Sequence, residues 1–267
     1  MPNDLIFVRH GESEGNAAKR LAQKGDVSAF TPEFLGRHSS KFRLTSRGRA
    51  QAEAAGAWLR AEFPEGFDRH YVSEYVRAWE TAGLLDLPRA SWFSDFYLRE
   101  QDYGEMDILP PEERDTKYAA ALKQRDRDGF YWKPPGGESI ADLCLRFDRL
   151  LETLGRECGG KNVIVVCHGM VMWAARIRLE RLTSMKYAAL RNSYDKRDRI
   201  HNCQVLHYTR RDPASGEITP HLGWLRSVCP NDLERSHNDW IKIERPRYSN
   251  EDLLTEVDRH ERLVEHI

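Results

Sequence analysis

The stretch Leu5-Ile6-Phe7-Val8-Arg9-His10-Gly11-Glu12 decides how this chain is read. Four apolar residues in a row, without polar alternation, describe a short strand buried on both faces. The run then stops on a guanidinium, an imidazole, a glycine and a carboxylate. Packing alone does not call for such a cluster. In open α/β sheets, ligands bind in the crevice outside the carboxyl ends of the strands. His10 is therefore a candidate nucleophile or base, and Arg9 offers a planar fork of donors to an oxyanion such as phosphate.

A second apolar run, Asn162 to Cys167, ends on His168-Gly169. If the two strands are parallel neighbours, their ends lie about 5 Å apart and both imidazoles face one pocket. Glycine after each histidine lets the backbone turn tightly and approach a ligand. A lone strand-end histidine is usually a core or solvated residue; two in the same setting, one preceded by arginine, reverse that expectation.

Between and beyond these runs the pattern alternates. Helices are expected at 13–20, 46–63 with Thr45 as N-cap, 74–85, 138–158 and 170–182. Further strands are expected at 70–73, 92–98, 204–209 and 218–225, with a charged helix from Pro110-Pro111 to about 127 and a last one at about 251–264. This predicts a three-layer α/β/α sandwich with a mostly parallel central sheet and loop and helix insertions capping the active site. Residues 1–267 read as a single domain, with insertions at about 17–43 and 101–136 and an extension at about 230–267. That tail either covers the sheet edge or forms a subunit contact, so a homo-oligomer stays open.

Formal net charge is −1, so no global field draws nucleic acid or an anionic membrane, and neither is expected as a partner. Five scattered cysteines without C-x-x-C spacing argue against a disulfide framework or zinc site and for a reducing, cytoplasmic setting. No apolar stretch approaches the ~18 residues that span a membrane. Basic residues gather at 19–43 and 186–199, among them Lys19 and Arg191. They either favour a substrate with charge beyond one phosphate or are solvated surface charge.

Arg9-His10-Gly11-Glu12 with Asn16, Leu44-Thr45 with Gly48, Ser73 to Ala82, Leu98-Arg99-Glu100, Gly137-Glu138-Ser139 and His168-Gly169 together resemble the ordered blocks of the histidine phosphatase superfamily, in its phosphoglycerate-mutase-like branch. The resemblance implies that His10 forms a phosphohistidine. Arg9, Arg77, His168 and Asn16 would bind the phosphoryl oxygens, and Glu100 would act as general acid and base. Asp102, Glu105 and Asp107 compete with Glu100 for that role, while Glu12, Glu138 and Ser139 are read as braces. No metal or cofactor is implied, and the substrate is a small phosphomonoester or a phosphoprotein. The insertion at 19–43, with Phe30, Pro32 and Phe34, lacks the mutases' substrate-binding pattern and favours a phosphatase. A phosphoglycerate mutase is the alternative, and a non-catalytic binding protein on the same fold a third reading.

Overall fold

The structure, a computed structural model, describes residues 1–264. Seven strands form one sheet: β1 (Asp4–Arg9), β2 (Arg69–Ser73), β3 (Trp92–Asp95), β4 (Asn162–Cys167), β5 (Val205–Thr209), β6 (Trp224–Val228) and β7 (His237–Lys242), in the order β3-β2-β4-β1-β5-β6-β7. The first four are mutually parallel, as expected, and β1 lies beside β4 with Arg9 opposite Cys167. β5, β6 and β7 continue the sheet as an antiparallel wing.

The layering follows from the pleat, which sends successive side chains to opposite faces. Leu5 and Phe7 of β1, with Val163, Val165 and Cys167 of β4, pack in one core. Ile6 and Val8, with Ile164 and Val166, pack in the other. Ten helices are described: α1 (Glu14–Ala22), α2 (Pro32–Leu35), α3 (Ser46–Glu62), α4 (Val76–Leu84), α5 (Pro111–Lys117), α6 (Ala119–Asp128), α7 (Ile140–Glu157), α8 (Gly169–Glu180), α9 (Ser184–Arg191) and α10 (Asn250–Val257). Leu143, Phe147, Leu150 and Leu154 of α7 join α8 on the first core, while Ala52, Ala55 and Leu59 of α3 join α4 on the second.

Gly11 and Gly48 show why the first crossover fits. A Cβ on Gly11 would run into the carbonyl of Gly48, and one on Gly48 into the carbonyl of Glu12. The glycine after His10 thus serves the close approach of α3; it does not carry the positive φ of a tight turn. Gly48→Ala is expected to cost about 3 kcal/mol, since neither backbone can yield without moving the His10 loop. Urea denaturation measures this, and a loss under 1 kcal/mol would contradict the close approach.

Several boundaries differ from expectation. The strand expected at 218–225 is β6, shifted to Trp224–Val228. Pro220 has no N–H for a ladder, and Ile218 makes only an isolated bridge to Arg211. The charged helix after Pro110 is broken into α5 and α6 at Tyr118, which turns its ring inward and donates its hydroxyl to Glu105 Oε2 at 3.1 Å. The last helix ends at Val257 rather than near 264: a capping box at Ser249 and Asp252 starts it, but it buries no residue to prolong it. The tail also carries β7, which extends the sheet edge. The first insertion is ordered, with Thr31 capping α2 and Phe34 stacked on Phe42 at 4.5 Å. Among the described residues no helix is long and apolar enough to cross a membrane, and all five cysteines are free and buried.

Candidate active site

A cavity of about 330 Å³ opens at the carboxyl ends of β1 and β4. Arg9, His10, Asn16, Arg77 and Glu100 line it. His168 sits against it, its ring centroid 5.1 Å from that of His10 and edge-on. Residues from Arg9 to His168 are thus brought together by strand order: β1 delivers Arg9 and His10, β4 delivers His168, and α4, which follows β2, delivers Arg77.

His10 is 2% exposed, and its Nδ1 lies 2.7 Å from the Gly11 carbonyl. A carbonyl only accepts, so Nδ1 carries the proton and Nε2 presents a lone pair. Arg77 Nε donates to that lone pair at 3.1 Å. Burial first, then the charges of Arg77 and Arg9, hold the His10 imidazole well below its usual range, so it is neutral at pH 7.

His168 is wholly buried, and burial with the nearby Arg77 pushes it down in the same way. Its Nε2 lies 2.7 Å from Ser73 Oγ, and its Nδ1 has no partner. With the Ser73 hydroxyl donating to Nε2, Nδ1 carries a proton and can serve an oxyanion. Arg9 offers a second buried, unpartnered donor: its Nη1 reaches the Ile200 carbonyl at 2.9 Å while its Nε is bare. Two unpartnered buried nitrogens beside the His10 imidazole fit an incoming anion.

These imidazoles predict a pH dependence of stability. The unfolded chain protonates each near pH ~6.5, whereas the folded chain resists until lower pH. Unfolding therefore takes up protons, and stability falls as pH drops below about 6.5, by up to about 1.4 kcal/mol per pH unit for each histidine. Denaturation between pH 7 and pH 5 should show this slope. A protein carrying His10→Asn and His168→Asn should lose most of it, leaving what the similarly lowered His70, His201 and His207 contribute.

Asn16 Oδ1 accepts from Ser13 N at 3.3 Å and from Asn202 Nδ2 at 3.0 Å, which leaves its own amide hydrogens to donate. Asn202 also donates to the His10 carbonyl at 3.1 Å. The sequence reading gave Asn202 and Ser73 no such roles. Neither carries a local signal, since Asn202 stands 186 residues from Asn16 and Ser73 stands 95 from His168. Glu100 Oε1 accepts from the N–H groups of Gln101 at 3.0 Å and Met170 at 3.1 Å, the latter in the first turn of α8. Of its rivals, Asp102 and Asp107 also line the cavity, while Glu105 accepts from Tyr118.

The expected braces lie behind the wall. Glu12 pairs with Arg20 at 3.1 Å and accepts from Thr45 Oγ1 at 3.0 Å. Glu138 is held by Arg146 through two contacts of 2.9 Å, and Ser139 caps α7. Cys203 is a packed thiol pushed up to about 12 by burial, with Cys229 beside it.

Transfer of a phosphoryl group through histidine requires cations that neutralise the oxyanion and a base whose lone pair meets it. By fold and site the protein falls in the class of α/β phosphoryl-transfer enzymes. Residues 5–209 match the histidine phosphatase superfamily (branch 1), and the chain belongs to that family.

The 2,3-bisphosphoglycerate-dependent phosphoglycerate mutase 2 of Gloeobacter violaceus is 30% identical over 188 residues, which cover 67% of this chain and 76% of that protein. The phosphoglycerate mutase-like protein AT74 of Arabidopsis thaliana is 28% identical over 255 residues, covering 83% and 74%. Among solved structures, the alpha-ribazole phosphatase from Shigella flexneri shares the fold with a TM-score of 0.60 at 17% identity, over 92% of this chain and 99% of that one.

Proposed function

We propose that the protein moves the phosphoryl group of a small phosphomonoester through a phosphohistidine on His10. The observation that supports this most is the tautomer: Nδ1 is committed to the Gly11 carbonyl, so the Nε2 lone pair is available to phosphorus. As the Nε2–P bond forms and the P–O bond breaks, Arg9, Arg77, Asn16 and His168 bind the phosphoryl oxygens and Glu100 protonates the leaving oxygen. In the second half Glu100 takes the proton of the acceptor hydroxyl as that oxygen attacks phosphorus and frees His10.

The acceptor separates two readings. The mutase relative at 30% identity supports a sugar-acid hydroxyl over water, which reverses the preference drawn from the first insertion. Hydrolysis is the second reading, and the insertion favours it: Phe30 and Phe34 line the cavity and give its mouth an apolar wall. The experiment is turnover of 3-phosphoglycerate with and without a 2,3-bisphosphoglycerate primer. Primed isomerisation supports the mutase, dominant phosphate release from a phosphomonoester panel supports the phosphatase, and neither activity rejects both. The buried thiols fit a reducing cytoplasm.

The proton-handling role is tested at Glu100. Glu100→Gln should slow turnover of alkyl phosphates by about 10²–10⁴-fold. An aryl phosphate, whose leaving oxygen needs no proton, should still label His10 at nearly the parent rate. Equal slowing of both would move the role to Asp102 or Asp107.

A further inference from the structure

Two cations of the cavity are not needed for the phosphoryl group. Lys19, on α1, and Arg191, the last residue of α9, line the same space as Arg9 and Arg77. Several other basic residues of the stretches at 19–43 and 186–199 are spent on carboxylates: Arg20 on Glu12 at 3.1 Å, Arg43 on Glu80 at 3.1 Å and Arg197 on Asp195 at 2.6 Å. Lys19 and Arg191 make no ion pair among the described residues. Their neighbours are soft. Arg191 Nη2 lies 3.9 Å from Met170 Sδ with its guanidinium 5.9 Å from the Trp173 ring, and Lys19 Nζ lies 5.6 Å from the Tyr103 ring.

Lys19 and Arg191 are the cations on the Tyr103 side of the mouth, and that ring also feels the carboxylates of Glu100 and Asp107. Arg191 is exposed, its guanidinium lies 5.9 Å from the Trp173 ring, and its planar fork suits a carboxylate or a phosphate.

We infer that Arg191 is a specificity-determining residue. With Lys19 beside Tyr103, it receives a second anionic group of the substrate and selects phosphomonoesters of hydroxy acids or bisphosphates over those of neutral alcohols. This rests on the phosphohistidine reading above. It adds a segment, the α9 insertion, that takes no part in the chemistry but chooses the molecule.

The test compares kcat and KM for 3-phosphoglycerate, fructose 1,6-bisphosphate, glycerol 3-phosphate and p-nitrophenyl phosphate in the parent, Arg191→Met, Arg191→Lys and Lys186→Met. The parent should prefer at least one of the first two. Its carboxylate or second phosphate then identifies the group received. Arg191→Met should lower kcat/KM for that substrate about tenfold, through KM, with the two esters that lack a second anionic group changed less than about twofold. Arg191→Lys should recover part of the loss, and Lys186→Met, in the same insertion but off the cavity wall, should lose nothing. An equal loss on all esters, or no loss on any, overturns the proposal. If no ester turns over and no phosphohistidine forms, the chemical reading fails instead. Calorimetric binding of 3-phosphoglycerate, fructose 1,6-bisphosphate and glycerol 3-phosphate to the His10→Ala protein, with and without Arg191→Met, then decides the role of Arg191 alone.

Discussion

His10→Ala should lower turnover by about 10⁴-fold or more and abolish an acid-labile, base-stable phosphate label on the protein. The size of the effect follows from what stands around the ring. Burial and two guanidinium groups hold the imidazole neutral, and the Gly11 carbonyl holds the proton on Nδ1. Arg77 Nε occupies the lone pair at 3.1 Å until an oxyanion draws it away. Alanine removes the nucleophile and leaves the anion site, so phosphate esters should still bind while transfer stops. Substitution by alanine also deletes a buried ring that touches His168 at 5.1 Å between centroids, so folding must be checked by denaturation alongside. A folded His10→Ala protein that turned over aryl phosphate at the parent rate would return the chain to the non-catalytic reading.

Arg146→Met should lower stability by about 3 kcal/mol. Arg146 is 9% exposed and grips Glu138 through both oxygens at 2.9 Å. Its Nη1 also donates to the carbonyls of Tyr97 and of Arg99, the latter at 3.1 Å, and Nη2 reaches the Glu100 carbonyl at 3.4 Å. Removing it leaves the half-buried Glu138 carboxylate to Arg99 at 3.0 Å and the Asp102 N–H at 3.1 Å, and takes a donor from the carbonyls of Tyr97 and Arg99. It also frees the segment that carries Glu100, so kcat on alkyl phosphates should fall with stability. Burial works to raise the Glu138 carboxyl, but the hydrogen bonds and charge of Arg146, the Asp102 N–H and Arg99 hold it below its usual range. That part of the stability is present above pH ~4.5 and is lost as pH falls through the depressed value. Urea denaturation at pH 7 and pH 4 reads both effects. A loss under about 1 kcal/mol for Arg146→Met would show that the 97–100 segment is held by other contacts.

Apolar patterning made the central strands legible. β1 and β4 are continuous apolar runs because both faces are covered, and the His-Gly pairs mark where they end. The antiparallel wing was harder, since half-buried edge strands carry weak patterns. β7 shows only intermediate and exposed residues, and nothing in His237–Lys242 separates it from a polar tail. The split of the charged helix at Tyr118 escaped notice because the residue that breaks it acts through a hydroxyl contact with Glu105.

At the site, the residues whose chemistry is intrinsic were readable: two imidazoles, the guanidinium groups and a carboxylate in family order. The basic insertions looked alike in sequence, yet Arg20, Arg43 and Arg197 are paired off while Lys19 and Arg191 face the cavity. The sequence alone thus determined the central strands, the main helices and the candidate reacting groups, because these depend on local periodicity and residue chemistry. Only the tertiary structure decided which nitrogen of His10 is free, that Asn202 and Ser73 hold the site, and which cations stay unpaired. The His10 tautomer rests on a neighbouring carbonyl direction, and Asn202 and Ser73 act on partners 186 and 95 positions away. The unpaired cations are set by which carboxylates fall within reach, and the residue types alone record none of this.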